Sequence, residues 1–270
     1  MLAGAQILLG AFRWHLVLRA LSASVPLLYT VKLFAIGVFF NVCLPGGVGG
    51  DAYRMWSLRR ATASLSVAVS SVLLERVYMM LALFVGMVAE YPFLLWIVGD
   101  QLVIQLSFVL ALAGIAAIAA LTVLDRLPAH WQTWRLVRGF ASIARDARRV
   151  LFHVRFLGCG MALSFLSILA YSLMVYFVSL SIGVDASISD CILLIPPTII
   201  IMLLPVTVAG WGLREAAMVL VLGAVGVAPD AALALSVMTG LVAMATGLPG
   251  GLLWLLPGGS RNTAGQGTIH

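Results

Sequence analysis

Apolar stretches about one membrane thickness long alternate with short polar breaks along most of the chain. Four of these stretches are long enough for a membrane-spanning helix, which needs roughly 20 mostly apolar residues. They are residues 61–89, 102–124, 156–182 and 230–256. The pattern therefore predicts an all-α, polytopic integral membrane protein.

Two further apolar segments are shorter, and each ends at a motif that contains proline and glycine. Residues 26–44 lead into the motif 44–54, and residues 191–204 lead into the motif 204–215. The two motifs share Leu, Pro, Val, Gly and Arg at identical offsets. Broken hydrophobic segments in corresponding positions of two halves point to a substrate site in membrane transporters. We therefore predict two re-entrant elements.

Charged residues in the breaks predict the orientation of the crossings. Residues 125–155 contain seven arginines and two aspartates, with Trp131 and Trp134 between them. This composition predicts a cytoplasmic amphipathic helix on the lipid headgroups, because loops rich in arginine stay on the cytoplasmic side. The acidic breaks at 90–100 and 183–190 contain no basic residue and should face the opposite side.

The order of the crossings predicts that the two broken segments are inverted. If Arg13 and Arg19 are cytoplasmic, residues 26–54 enter and leave on the same side. Three crossings then separate this hairpin from the second motif, so the second hairpin should enter from the opposite face. The two turns would meet near the middle of the membrane, where irregular backbone must be buried in protein or line a wet cavity.

The start of the chain has two interpretations. Residues 1–11 are apolar but too short to cross, and basic residues follow them instead of preceding them, which excludes a signal peptide. The segment is either the end of a longer helix or an interfacial helix anchored by Trp14.

Composition excludes a soluble enzyme and a nucleic-acid-binding protein. Hydrophobic residues make up 63% of the 270 positions and charged residues 10%, and the mean hydropathy is +1.12. The net charge of +6 resides mainly in loops, where it favours membrane orientation and attraction to anionic lipids. We predict one transmembrane domain over residues 1–270, with no cofactor, no metal site and no catalytic motif.

The glycines of the first motif allow two interpretations. Gly46, Gly47, Gly49 and Gly50 leave backbone N–H groups free to point at an anion and let a ligand approach closely. The same glycines are equally typical of a flexible loop or of tight helix packing. Asn41 is predicted to bond carbonyls released by the proline break.

Arg54 and Arg214 lie at the same distance after their prolines, and both are candidates for a phosphate clamp. Guanidinium groups present a planar fork of donors that suits phosphate. The alternative for Arg54 is a simple cytoplasmic flanking charge.

The pair Glu75-Arg76 lies inside a predicted span, where ionisable residues are costly and indicate function by default. Adjacent residues on a helix do not face each other, so each needs another partner. The available partners are Asp51, Arg54, Arg214 and Glu215. A purely structural buried ion pair is the alternative.

Three groups of residues resemble the lysylphosphatidylglycerol synthase transmembrane region, the flippase-like membrane half of the multiple peptide resistance factor. They are Phe40-Asn41-x-x-Leu44-Pro45-Gly46-Gly47-x-Gly49-Gly50-Asp51-x-x-Arg54, Ser71-Val72-Leu73-Leu74-Glu75-Arg76, and Pro205 with Gly210-x-Gly212-x-Arg214-Glu215. The resemblance implies a bacterial inner-membrane protein that moves a lipid between leaflets. It also implies a further N-terminal helix, and this chain begins where that helix should be ending.

We therefore predict a lipid flippase-like transporter whose partners are membrane lipids, either an anionic phospholipid or a polyprenyl-phosphate carrier. A lipid-modifying enzyme and a second copy of the chain are further candidate partners. The alternatives are a membrane transferase with Asp51 or Glu75 as base, and an anchor for a soluble enzyme. The predicted substrate-binding residues are Asn41, Gly46, Gly47, Gly49, Gly50, Asp51, Arg54, Glu75, Arg76, Gly210, Gly212, Arg214 and Glu215.

Overall fold

The structure is a computed structural model, and it describes residues 1–44, 48–62, 64–97, 101–123, 135–202 and 212–256. All regular structure in these ranges is α-helical, as predicted. The helices are α1 (Leu2–Ala20), α2 (Leu27–Cys43), α3 (Gly49–Thr62), α4 (Leu65–Ile97), α5 (Gln101–Val123), α6 (Arg135–Leu151), α7 (Val154–Ser181), α8 (Ile188–Met202), α9 (Leu213–Gly223) and α10 (Pro229–Leu255).

Four of these helices are long and apolar enough to cross a membrane, and they match the four predicted spans. The candidate spans within them are Leu65–Leu95, Ile104–Val123, Val154–Ser181 and Pro229–Leu255. Much of their surface is apolar and exposed, as expected for helices that face lipid instead of water. The chain is therefore a helical membrane bundle.

The acidic break predicted at 90–100 is wrong over most of its length. Helix α4 continues through Glu90 and Pro92 to Ile97. A proline removes one backbone hydrogen bond, but neighbouring helices can stabilise a membrane helix across it. Glu90 therefore lies inside a candidate span and not in a loop.

The two broken segments form pairs of short helices. Helices α2 and α3 contain 17 and 14 residues, and α8 and α9 contain 15 and 11 residues. At a rise of about 1.5 Å per residue none of the four reaches the roughly 30 Å of a hydrocarbon core. Each helix packs against the other member of its pair. Three candidate spans separate the pairs, in agreement with the predicted inversion.

The interfacial interpretation of the N-terminal segment is wrong. Residues 2–20 form one helix, α1, which packs against α7, α2 and α4 inside the bundle. Trp14 is fully buried, and its Nε1 donates to Ser71 Oγ at 3.2 Å. A tryptophan that anchors an interfacial helix would keep contact with the headgroup region.

The arginine-rich segment contains the predicted amphipathic helix, over Arg135–Leu151 in α6. Its apolar face packs on α4, α5 and α7, with Ala144, Ala147 and Val150 buried. The Arg148 side chain donates to the Thr122 carbonyl at the end of α5, with an Nη2–O distance of 2.7 Å. Trp131 and Trp134 lie outside the described residues.

Candidate functional site

Five charged side chains from α1, α3 and α4 form one ion-pair network, in which four members are buried and Arg76 is partly exposed. Glu75 accepts hydrogen bonds from Arg13, with an Nε–Oε1 distance of 3.0 Å, and from Arg54, with an Nη1–Oε2 distance of 3.4 Å. Asp51 accepts from Arg54 at 3.3 Å and also from Arg76 Nε. All four carboxylate oxygens therefore accept from arginine. Three arginines and two carboxylates leave one net positive charge.

Helix geometry explains how the network is assembled. Asp51 and Arg54 are three residues apart and share one face of α3. Glu75 and Arg76 are adjacent on α4, and each has a different partner among the carboxylates and arginines around it. The prediction that they pair with residues other than each other is confirmed.

Arg54 is the most enclosed member of this network. Its exposed fraction is 4%, so the alternative of a cytoplasmic flanking charge is wrong. The guanidinium carbon lies 4.1 Å from the ring centroid of Trp14 and 4.6 Å from that of Phe34. These contacts stabilise a desolvated cation. Within the described part of the chain, Arg54 Nε and Nη2 have no hydrogen-bond partner.

Arg13 is a site residue that the sequence analysis did not identify. It lies on α1, is 5% exposed and binds Glu75, although its position after a short apolar run suggested a cytoplasmic charge. Its neighbour Trp14 contacts Arg54 in the same network. The sequence contains one indication of this role: an α-helix over residues 1–20 would place Arg13 among apolar residues.

The described glycines of the first motif are packed closely against other residues. A Cβ on Gly50 would lie 1.8 Å from the carbonyl oxygen of Gly37 on α2, and one on Gly49 would lie 2.5 Å from the Leu44 side chain. The Gly50 N–H donates to Asn41 Oδ1 at 2.8 Å, so Asn41 caps the start of α3. In this contact Asn41 binds a backbone N–H group, whereas the sequence analysis predicted that it would bind a released carbonyl. Gly46 and Gly47 lie outside the described residues.

A second cluster of polar side chains forms at the start of α9. Arg214 is 5% exposed, donates from Nη2 to Glu215 Oε1 at 2.9 Å and from Nε to Ser236 Oγ at 3.2 Å. Glu215 also accepts from the N–H of Gly212, which has a φ of 84° that favours glycine. The guanidinium packs on Gly240 of α10, where a Cβ would lie 2.2 Å from Nη2. Gly210 lies outside the described residues.

Arg214 and Asn41 line the same cavity, although they belong to different broken pairs. This cavity of about 140 Å³ also has walls from Val38 and Val42 of α2 and from α10. It shares Val38, Val42 and Ala243 with a second cavity of about 230 Å³. The structure thus joins the two broken pairs around a common interior space.

The second cavity extends from this space toward α1 and α7. Polar groups from Gln6, Tyr171 and Thr246 interrupt its apolar lining. The Gln6 amide nitrogen is buried without a hydrogen-bond partner in the described residues. Phe34 lines this cavity and also covers Arg54, so its ring lies between the cavity and the ion-pair network.

The described contacts place Arg54 and Arg214 in separate clusters. Arg54 is bonded to Asp51 and Glu75, whereas Arg214 is bonded to Glu215 and Ser236. The convergence of both arginines on one phosphate therefore stays a prediction.

Comparison with known proteins agrees with a membrane-spanning helical bundle. The family model of the lysylphosphatidylglycerol synthase TM region matches residues 1–251. The chain belongs to this family. The matching model describes a transmembrane region and no catalytic domain, so this chain is a multi-pass membrane protein of the lysylphosphatidylglycerol synthase TM family.

A relative in Methanothermobacter thermautotrophicus is named UPF0104 membrane protein. It is 23% identical over 262 residues, an alignment that covers 86% of this chain and 74% of the relative. No solved structure matches this chain.

Proposed function

We propose that this protein is a flippase-like transporter of the bacterial inner membrane that moves the headgroup of a phospholipid or lipid carrier between leaflets. The observation that carries the proposal is the cavity between the two broken helix pairs, lined by Arg214 and Asn41. A buried arginine that faces a cavity at membrane depth indicates a path for a charged group. Membrane lipids offer such a group as their phosphate.

The chemistry of the cavity favours a phosphate headgroup. The guanidinium of Arg214 lines the cavity while it also bonds Glu215 and Ser236, and Asn41 adds an amide beside it. Guanidinium groups present a planar fork of donors that suits phosphate. The adjoining apolar cavity can accommodate hydrocarbon next to the headgroup. A charged group therefore lies beside apolar surface in the protein, as the phosphate lies beside the acyl chains in a phospholipid.

The ion-pair network offers a second position for the same anion. It carries one net positive charge, and two nitrogen atoms of Arg54, Nε and Nη2, have no hydrogen-bond partner in the described residues. The Phe34 ring contacts this guanidinium and also lines the second cavity. A rotation of the Phe34 side chain would let a phosphate pass from Arg214 toward Arg54.

The geometry disfavours the membrane transferase in which Asp51 or Glu75 is the base. A general base needs a free oxygen within hydrogen-bond reach of the substrate proton. Both oxygens of Asp51 and both of Glu75 already accept from arginine. The two carboxylates are therefore better suited to positioning arginines than to removing protons.

The packing of α6 disfavours the anchor for a soluble enzyme. The apolar face of α6 is buried against the bundle, and Arg148 binds the end of α5. Exposed arginines such as Arg149 remain available for a partner, so this alternative needs its own arm in the test.

Leaflet exchange in liposomes tests the proposal. Purified protein is reconstituted with trace fluorescent phospholipids, and chemical quenching of the outer leaflet measures the fraction that has crossed. We expect exchange with wild type, loss with Arg214→Ala, and unchanged exchange with Arg149→Gln. Identical exchange in wild type and Arg214→Ala would reject the arginine path. No exchange by wild type or by either variant would favour the anchor or the transferase.

A chemical readout in the same vesicles tests the transferase. Lipids are extracted and analysed by mass spectrometry after incubation with polyprenyl-phosphate or aminoacyl donors. The transferase is favoured over the transporter if wild type forms a new lipid that Glu75→Gln does not form, and if neither protein shows leaflet exchange.

A further inference from the structure

Glu90 is a half-buried carboxyl group outside the ion-pair network, and its Oε2 atom is buried. It lies inside the candidate span of α4, seven residues before the end of that helix at Ile97. At about 1.5 Å per residue, this places it roughly 10 Å along the axis from the helix end. A carboxyl group at such a position in a membrane helix indicates a functional role by default.

Glu90 lines a cavity of about 460 Å³ between α4, α7 and α8. Two of its polar atoms are buried without a hydrogen-bond partner in the described residues, Glu90 Oε2 and Ser172 Oγ. Ser172 is 1% exposed. The rest of the lining is apolar, and Phe165 and Leu169 continue onto the exposed surface of the bundle. The cavity thus opens sideways toward lipid.

Among the described residues that line this cavity, Glu90 alone can carry a charge. The sequence of α5 contains no ionisable side chain. The titratable groups nearest in sequence to the lining are Tyr91 of α4, Cys159, Tyr171 and Tyr176 of α7, and Asp190 and Cys191 of α8. None of them is in the lining.

An ionised carboxylate in these surroundings would be costly. Burying a charge without a partner costs several kcal/mol in practice, so the group takes up a proton or binds a cation. Neutralisation by a proton requires no further space and gives Glu90 an O–H donor. The structure has no hydrogen bond between Glu90 Oε2 and Ser172 Oγ, so a rotation of the Glu90 side chain or a bridging water would bring this donor to the Ser172 oxygen.

We propose that Glu90 and Ser172 form a proton-binding site that couples proton movement to lipid exchange. The coupling rests on the proposed transport function. Proton uptake neutralises the carboxylate and lets the α4–α7–α8 seam close, and proton release charges it and draws water or a cation into the cavity. Only the O–H bond of the Glu90 carboxyl group forms and breaks: hydronium on one side supplies the proton, and water on the other side accepts it.

The position of α7 connects this site to the lipid path. Ser172 lines the Glu90 cavity, whereas the adjacent Tyr171 lines the cavity that adjoins Arg214. Ile192 of α8, the first helix of the second broken pair, completes the wall beside Glu90. A change of packing at Glu90 therefore acts on two helices that border the path of the headgroup.

Steady-state leaflet distribution under a pH gradient tests the coupling. Proteoliposomes with trace fluorescent phospholipid receive a gradient of about one pH unit. Coupling of one proton to each lipid shifts the leaflet ratio by about tenfold, since one pH unit is a tenfold ratio of proton activity. We expect this shift with wild type and with Asp230→Asn, a change of an exposed carboxylate. We expect no shift with Glu90→Gln and a reduced one with Ser172→Ala.

Infrared spectroscopy of the purified protein tests the proton site without transport. We expect a carbonyl band of a protonated carboxylic acid that is present in wild type and absent from Glu90→Gln. Identical bands in the two proteins would overturn the proton site.

The two readouts separate the failure of this proposal from that of the transport function. Two outcomes overturn the coupling and leave the transport function standing. In one, wild type exchanges lipid but the leaflet ratio does not respond to the pH gradient. In the other, the leaflet ratio still responds to the gradient in Glu90→Gln. No exchange by wild type rejects the transporter and the coupling together, and the infrared band then decides the proton site alone.

Discussion

Replacement of Glu75 by Gln should destabilise the protein strongly, because Glu75 joins two arginines in the ion-pair network. Glu75 is 4% exposed and accepts from Arg13 and Arg54. The substitution keeps the shape of the side chain and removes its charge, which raises the net charge of the buried network from one to two. Removal of one partner from a buried ion pair costs about 3–5 kcal/mol.

This cost can be measured as a shift of the melting temperature. For a protein of this size, each kcal/mol corresponds to about 2–4 °C, so we expect Glu75→Gln to melt roughly 6–20 °C below wild type. Thermal unfolding in detergent, followed by size-exclusion chromatography, provides the assay. The matched control is Asp185→Asn, which removes an exposed carboxylate and should melt within about 2 °C of wild type.

A double variant separates charge balance from side-chain packing. Arg13→Met combined with Glu75→Gln returns the network to one net positive charge, so it should recover part of the loss. The reasoning is refuted if Glu75→Gln melts together with Asp185→Asn. It is refuted equally if the double variant loses the sum of both single changes.

Two glycine substitutions test helix packing at the two broken pairs. Gly50→Ala should separate α2 from α3 and lower the melting temperature, since its Cβ would overlap the Gly37 carbonyl oxygen. The control is Gly158→Ala on α7, whose Cβ meets open space and should be tolerated. Equal melting temperatures of the two variants would contradict the close contact. Gly240→Ala should displace the Arg214 guanidinium, so we expect it to reduce both leaflet exchange and the melting temperature. Wild-type exchange in Gly240→Ala would show that the position of Arg214 is unimportant.

Hydrophobic length predicted the crossings of this fold, because a membrane span is a property of local sequence. The helices α5, α7 and α10 follow the predicted boundaries within two residues. The prediction failed at α4, where the acidic, base-free composition of residues 90–100 suggested a break, yet the helix continues through Pro92 to Ile97. Neighbouring helices that stabilise backbone across a proline cannot be seen in local sequence.

The candidate site was predicted in part because its residues are costly in a membrane. Glu75 and Arg76 were singled out for this reason, and Asp51 and Arg54 were correctly named as available partners. Arg13 was not found, because its role depends on α1 packing beside α4. Likewise, the contact of Asn41 with Gly50 depends on the angle between α2 and α3, which glycine spacing does not define.

The account depends most on the presence of a lipid headgroup in the cavity between the two broken helix pairs. A phospholipid with a photoreactive headgroup can be cross-linked to the reconstituted protein, and mass spectrometry can locate the modified residues. We predict modification of α2 and α10 around Val38 and Met244, which line the Arg214 cavity, and its loss in Arg214→Ala. Modification confined to lipid-facing residues such as Leu106 and Val109 of α5, in both proteins, would contradict the account.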